Sequence, residues 1–97
     1  MWYFYVIKSQ KTPNYFYKGS TNDLRRRLAE HQKGKVESSA PHRPYQLVYY
    51  EAYLQETAAR HRESSVKKSG AVWGVLMKRI KESLVLRKHE RTVYDSD

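Results

Sequence analysis

The chain has 97 residues, with 19 Lys plus Arg against 10 Asp plus Glu, which gives a formal net charge of +9. This length predicts a single domain, and the absence of cysteine from the sequence excludes disulfides and zinc sites built on thiolates. The sequence has neither the roughly 18-residue apolar run of a membrane span nor a charged leader before its apolar N-terminus, so we expect a cytoplasmic protein with a polyanionic partner.

The first elements along the chain predict a β-hairpin. The aromatic and β-branched run at residues 2–7 is typical of a strand, and a loop with Pro13 separates it from a second short strand at residues 15–18. Tyr5 and Tyr17 lie on these adjacent strands, where their hydroxyls can converge on one face. Strand tyrosines also serve as ordinary packing residues with a wet tip, so both interpretations stay open.

A helix follows the hairpin. Gly19 ends the second strand, and residues 20–22 offer N-cap candidates immediately before Asp23, whose charge suits the start of a helix. The helix is predicted to continue to about Gln32, with Gly34 as its stop signal.

The second half of the chain predicts one strand and two helices. After a polar loop, residues 45–53 form the third strand, and helices are expected at about residues 56–68 and 71–84. Strict alternation in the third strand would place four side chains on one face: Leu47, Tyr49, Glu51 and Tyr53. The last helix carries an apolar stripe at helical spacing: Trp73, Leu76, Met77, Ile80 and Leu84.

The predicted element order is β-β-α-β-α-α, which we expect to fold as a small three-stranded antiparallel sheet flanked by helices, an α+β fold. Residues 87–97 contain equal numbers of basic and acidic side chains, so the whole net charge belongs to residues 1–86. We therefore expect one domain over residues 1–86 and a polar, mobile C-terminal tail over residues 87–97.

The first helix combines an apolar stripe with two polar neighbours. Leu24 and Leu28 face the core, and Arg27 and His31 border that stripe one turn apart. Arg27 either extends its charged head from the edge of the core into solvent or serves a site.

The second helix carries a carboxylate inside its apolar stripe. Ala59 and Val66 define the stripe, and Glu63 occupies the position between them. An ionised carboxylate facing a core is costly unless a cation or a metal compensates it. The pattern therefore indicates either a structural salt bridge, with Arg27 as a possible partner, or a metal ligand.

These residues, in this order, resemble the GIY-YIG nuclease superfamily, in particular its small single-domain bacterial members. Tyr-Phe-Tyr at residues 3–5 stands at the first signature triplet and Tyr-Lys-Gly at residues 17–19 at the second. Residues 19–31 then resemble the family pattern Gly-Ser/Thr-Thr-x-x-Leu-x-x-Arg-Leu-x-x-His. The resemblance covers roughly residues 2–85, and it departs from the family in the Gly-Ile of the first triplet and the Ile of the second.

The resemblance implies a metal-dependent endonuclease that hydrolyses phosphodiester bonds in DNA, in repair, recombination or processing. Glu63 would be the single protein ligand of one Mg²⁺ or Mn²⁺ ion, and Arg27 would neutralise charge on the phosphoryl oxygens. Tyr5 and Tyr17 would orient or deprotonate the attacking water. His31 is an alternative to Tyr17 as the general base, since its ordinary pKa is better matched to neutral pH.

The same resemblance implies contacts between the site and nucleic acid. Gly19 would let backbone and substrate approach closely. Six cations would contact phosphates without reading sequence: Lys18, Arg26, Lys35, Arg43, Lys67 and Lys68. No small-molecule cofactor is implied, RNA stays possible as a substrate, and the oligomeric state is left open.

Two other interpretations fit part of the sequence. A non-catalytic DNA- or RNA-binding module on a degenerate nuclease fold explains the charge and the aromatic residues equally well, but it gives no role to Glu63 in an apolar stripe. A degenerate nuclease fold that serves as a protein-interaction domain is the third interpretation.

Overall fold

A computed structural model describes the backbone of residues 1–95 and the side chains of residues 1–84. One antiparallel sheet contains β1 (Trp2–Ser9), β2 (Phe16–Thr21) and β3 (Tyr45–Tyr53), in the order β2-β1-β3. The helices are α1 (Leu24–Gln32), α2 (Glu56–Lys68) and α3 (Gly70–Asp95), and a short 3₁₀ turn lies at Ala40–His42. The predicted α+β fold, with a three-stranded sheet flanked by helices, is confirmed.

The central strand β1 is covered on both faces, because both of its alternating sets of side chains are apolar. Phe4 and Val6 pack on one face against α2 and α3, where Val66, Leu76 and Ile80 complete a cluster in which each residue is at most 3% exposed. Tyr5, Ile7 and Tyr45 form a second cluster on the other face, together with the leucines of α1. Side chains of β1 therefore reach both helical layers, which is what allows one site to draw on both.

The predicted facing of β3 is wrong at its beginning. Tyr49 pairs with Val6, but Leu47 pairs with Ile7, so Val48 is an extra residue in β3. This β-bulge reverses the alternation, because one inserted residue moves the rest of the strand to the opposite faces. Leu47 consequently packs beside Tyr5 and Ile7 on the α1 side, whereas Tyr49 packs on the other side.

The start of α1 differs from the prediction by one residue. Asp23 itself is the N-cap, and its side chain accepts a hydrogen bond from the backbone N–H of Arg26 at 3.0 Å. Thr21 supports the turn, because its hydroxyl oxygen accepts a bond from the Asp23 N–H. Gly34 has a φ of +75° directly after the end of the helix, which is the role the sequence predicts for it.

An ion pair ties α2 to β3 next to the position of Glu63. Arg62 donates to both carboxylate oxygens of Glu51, at 3.0 Å from Nε and 3.1 Å from Nη2, and the hydroxyls of Tyr49 and Tyr53 donate to the same carboxylate. This cluster fixes the rotation of α2 about its axis and therefore the direction in which the neighbouring carboxylate points.

Helix α3 is longer than predicted. Its stripe is confirmed, since Leu76 and Ile80 are buried and the other members pack against them. The helix continues to Asp95, through a segment rich in Lys, Arg and Glu, which have high helix propensity. The predicted tail at residues 87–97 overlaps this helix, and its side chains and last two residues lie outside the described part of the chain. Among the described helices, none has an apolar stretch long enough to cross a membrane.

Candidate active site

A cavity of about 310 Å³ opens beside the edge strand β2, where the chain leaves the sheet to enter α1. Each of the four elements around it contributes one of the five predicted catalytic residues to its wall: Tyr5 from β1, Tyr17 from β2, Arg27 from α1 and Glu63 from α2. Side chains from the two faces of the sheet therefore meet at one opening. The fifth predicted residue, His31, lies behind the wall.

Gly19 makes this meeting possible. It pairs with Tyr5 in the register of β1 and β2, and the phenol ring of Tyr5 crosses directly over it. A Cβ at position 19 would lie 2.5 Å from the Tyr5 hydroxyl oxygen and 2.7 Å from Cζ, both far inside normal contact distance. The glycine is therefore needed as space for the phenol, which refines its predicted role of permitting close approach.

Replacing Gly19 by alanine is expected to destabilise the fold and to displace Tyr5. Overpacking of this kind typically lowers the free energy of unfolding by about 1–3 kcal/mol, which corresponds to a loss of about 4–8 °C in Tm per kcal/mol for a domain of this size. Gly74→Ala is the matched control, because a Cβ there meets nothing within 4 Å. That helical substitution should raise stability by about 0.5–1 kcal/mol. Thermal unfolding of both variants checks the contrast, and equal Tm values would contradict it.

The hydroxyl of Tyr5 connects the cavity to the interior. It forms a hydrogen bond of 2.8 Å with Nε2 of His31, and the Tyr5 side chain is only 2% exposed. Burial raises the pKa of Tyr5 to about 12, although the nearby guanidinium of Arg27 acts in the opposite direction. Tyr5 is therefore a neutral phenol at physiological pH, able both to donate and to accept a hydrogen bond.

His31 has no access to the cavity except through Tyr5. The residue is 0% exposed, and its second ring nitrogen, Nδ1, is 2.6 Å from the hydroxyl oxygen of Ser39. Burial, together with the positive charge of Arg27, lowers the pKa of His31 to about 4. The imidazole is therefore neutral near pH 7, and it does not contact a water in the cavity directly.

Glu63 is the partly exposed member of an otherwise buried helix face. Its side chain is 21% exposed, whereas Ala59 and Val66 on the same stripe are at most 1% exposed. Both carboxylate oxygens have protein donors: the Ser20 hydroxyl lies 2.5 Å from Oε1 and the Lys67 ammonium 2.6 Å from Oε2. The compensating cation in this structure is Lys67.

Arg27 does not pair with Glu63, the partner that the salt-bridge interpretation suggested. It donates instead to Glu30, one turn along α1, with 3.0 Å between Nη1 and Oε1. The side chain is 34% exposed and lines the cavity. A half-exposed ion pair of this kind contributes little to stability, so the guanidinium is free to bind an anion in the cavity at small cost.

The predicted phosphate-binding cations fall into three groups. Arg26 lines the cavity, and Lys67 and Lys68 line a neighbouring cavity of about 280 Å³ along α2. Lys18 points to the face of the sheet that α2 and α3 cover, where its ammonium lies 4.1 Å from the ring centre of Trp73. The last two, Lys35 and Arg43, line neither cavity, and Arg43 packs over Gly34 at the far end of α1.

Several residues of the site were not predicted. Ser20 holds Glu63, Arg60 lines both cavities, and Trp2 lines the first cavity with the Arg60 guanidinium over its ring at 5.5 Å. Ser39 contacts His31 from a loop that the sequence presents only as polar. A signal existed for Ser20, since it is the neighbour of Gly19 and faces α2, but none existed for Ser39.

Comparison with known proteins identifies related chains. A sequence model of the family described as the GIY-YIG catalytic domain matches residues 1–72. The chain is 36% identical to a UPF0213 protein of Bacillus pumilus, over 67% of this chain and 65% of that protein. It is 40% identical to a UPF0213 protein of Streptococcus pyogenes serotype M5, over 68% of this chain and 71% of that protein.

A third relative extends the likeness along most of the chain. A UPF0213 protein of Listeria welshimeri is 29% identical over 91% of this chain and 89% of its own length. The match to the Bacillus protein, in contrast, spans just under two thirds of that relative. No solved structure matches the chain at a significant level.

Proposed function

The chain belongs to the GIY-YIG catalytic-domain family, and from that premise we propose that it is a metal-dependent endonuclease acting on DNA, in repair, recombination or processing. Support comes from one arrangement, in which four chemically distinct side chains from four elements line a single cavity: Tyr5, Tyr17, Arg27 and Glu63. A module that only binds nucleic acid needs cations there and gains nothing from a carboxylate.

Glu63 fits one Mg²⁺ or Mn²⁺ ion in a site that the substrate completes. The described residues contain no group of three or more His, Cys, Asp or Glu that would enclose a metal. Mg²⁺ commonly binds through one or two carboxylates plus a substrate phosphate and keeps several waters. A single partly exposed carboxylate that lines the cavity is therefore sufficient, once the ion replaces the Lys67 ammonium at Oε2. When bound, the ion supplies Lewis-acid polarisation of the scissile phosphate and stabilises the leaving oxygen.

Arg27 would bind the phosphoryl oxygens on which charge grows. Hydrolysis requires that a water oxygen bonds to phosphorus while the bond from phosphorus to the leaving 3′ oxygen breaks. The planar guanidinium offers several N–H donors in a fixed geometry, which suits the equatorial oxygens of that transition state. Its only ion-pair partner among the described residues is Glu30, on the solvent side of α1.

The two tyrosines would orient the attacking water, and we assign them different roles. Tyr17 lines the cavity directly. Tyr5 can accept a water proton only if it passes its own proton to Nε2 of His31, because its pKa of about 12 disfavours a lasting phenolate. His31 would thus act as a base only through Tyr5, whereas Tyr17 would contact the water directly.

Phosphates on one side of the reacting bond would follow α2. The second cavity shares Arg60 and Glu63 with the first and is otherwise lined by Ser64, Lys67 and Lys68. Two adjacent cavities that share Arg60 and Glu63, with cations along one helix, would accommodate a nucleic-acid backbone, and such contacts position the strand without specifying its sequence.

Cleavage of labelled nucleic acids tests the proposal. Duplex, branched, single-stranded and damaged DNA, and RNA, are incubated with Mg²⁺ or Mn²⁺ and with EDTA. We expect products only with the divalent ion. Salt-sensitive binding to the same panel, without cleavage of any member, would overturn the enzyme and favour the non-catalytic nucleic-acid-binding module.

Changing Lys68 to alanine is expected to weaken the salt dependence of DNA affinity. Each lost phosphate contact reduces the slope of log K against log salt by about 0.9 for duplex DNA. Lys67 is unsuitable for this test, because it is bonded to Glu63. Fluorescence anisotropy over a series of NaCl concentrations, without divalent ions, measures the slope.

Lys33→Ala is the matched control for this measurement. It removes the same charge at the end of α1 that lies away from the cavity. An equal change of slope in both variants would show that the DNA path is not along α2.

A further inference from the structure

A chain of buried hydrogen bonds runs from the cavity wall into the protein. It begins at the Tyr5 hydroxyl, continues through Nε2 and Nδ1 of His31 at 2.8 Å and 2.6 Å, and ends at the Ser39 hydroxyl. His31 and Ser39 are both 0% exposed. Water has no access to these polar groups, so each hydrogen bond must be made by protein partners.

Ser39 is held in place independently of His31. The hydroxyl of Tyr45 donates to the backbone oxygen of Ser39 at 2.7 Å. Tyr45 in turn is fixed by Gln32, whose side-chain amide bonds both the N–H and the C=O of Tyr45, at 2.7 Å and 2.6 Å. The loop that carries Ser39 is therefore joined to β3 through Tyr45, and Tyr45 is joined to α1 through Gln32.

The positions of the protons in this chain determine what Tyr5 can do. A neutral imidazole carries one ring proton, so one nitrogen donates and the other accepts. The Ser39 hydroxyl also lies 3.3 Å from the backbone oxygen of Val36, which can only accept. If Ser39 donates to Val36, its oxygen accepts from Nδ1–H of His31, and Nε2 is left unprotonated to accept from Tyr5.

We propose that Ser39 is a positioning residue for the nuclease reaction proposed above, holding His31 in the Nδ1-protonated tautomer so that Nε2 faces the Tyr5 hydroxyl. The opposite tautomer would direct a ring proton at Tyr5 and remove its acceptor. Ser39 touches neither substrate nor metal in this arrangement, and its whole effect passes through His31.

The proton movement balances with Ser39 in this role. As the water oxygen bonds to phosphorus and the leaving oxygen departs, a water proton moves to the Tyr5 oxygen and the original Tyr5 proton moves to Nε2. The imidazolium that forms is transient, because burial and the charge of Arg27 disfavour it. While it lasts, it still donates Nδ1–H to Ser39. The proton then returns through Tyr5 to the cavity, where it neutralises the leaving oxygen.

The test combines kinetics with the ring ¹⁵N chemical shifts of His31 at neutral pH. In the wild type we expect the Nδ1-protonated tautomer. Ser39→Ala should lower kcat about 10- to 100-fold, by analogy with the loss of a hydrogen-bond partner that orients a metal-ligating histidine, with KM within about twofold. The same variant should show a mixture of tautomers. An Nε2-protonated wild type, or an unchanged kcat in the variant, would overturn the proposal.

Ser38→Ala is the matched control, since Ser38 is the exposed neighbour in the same loop. It should leave kcat and the ¹⁵N shifts as in the wild type, and thermal unfolding of all three proteins establishes that they fold. If the wild type cleaves no nucleic acid, the nuclease proposal fails by itself. The tautomer of His31 and its change in Ser39→Ala still decide whether Ser39 sets the ring.

Discussion

Glu63→Gln abolishes metal-dependent cleavage, an expected loss of at least about 10³-fold in kcat, while affinity for DNA stays within about threefold of the wild type. The amide keeps the size of the side chain and can still accept a bond from Ser20, but it removes the charge that would hold a divalent ion. Cleavage kinetics with Mn²⁺ and anisotropy in EDTA measure the two quantities separately.

Lys67→Ala distinguishes a metal ligand from a structural ion pair at Glu63. The pair joins residues four apart on one helix, and such exposed pairs contribute only about 0.3–0.5 kcal/mol. We expect this variant to fold and to cleave, because the carboxylate remains. Equal losses of activity in Glu63→Gln and Lys67→Ala would show that the pair itself matters and would contradict the ligand assignment. Glu82→Gln, on an exposed position of α3, controls for the change of charge.

Arg27→Ala lowers kcat by about 10²-fold or more, the scale seen when a preorganised group that stabilises transition-state charge is removed. Arg27→Lys should recover only part of the rate, because an ammonium cannot present two parallel donors to phosphoryl oxygens. Single-turnover cleavage at saturating enzyme isolates this effect from binding.

Arg25→Ala supplies the comparison for this variant. Arg25 lies on the same helix and is exposed, whereas Arg27 lines the cavity. A rate change of less than about threefold in Arg27→Ala, with the fold intact, would show that Arg27 only extends its charge from the core edge to solvent. Equal losses in both arginine variants would indicate a general effect of charge.

The parts of the site that lie on regular elements could be predicted from the sequence. A helical period of 3.6 residues fixes which side chains share a face, so the sequence alone places Glu63 between Ala59 and Val66 on the apolar stripe of α2. The pairing of β1 with β2 similarly brings Tyr5 near Tyr17. That these elements would surround one cavity followed from the family resemblance and not from periodicity.

The contacts that depend on loops could not be predicted. The position of Ser39 depends on hydrogen bonds that involve Gln32 and Tyr45, which lie outside its own turn in the sequence. The same loop carries Lys35 and Arg43 away from the cavity, although the sequence gives no reason to separate them from the cations that do line a cavity. Such segments have no repeating period, because each contact depends on the course of the whole loop.

The extra residue in β3 determines which side chains of the strand face each of the two helical layers. If residues 45–53 paired with β1 without the bulge at Val48, Tyr45 would share a face with Tyr49 and would turn from the α1 layer toward the opposite layer. The brace on Ser39 would then be lost without any change to a residue of the cavity wall. The length of this strand, counted in single residues, is consequently as much a determinant of the site as the identity of any side chain in it.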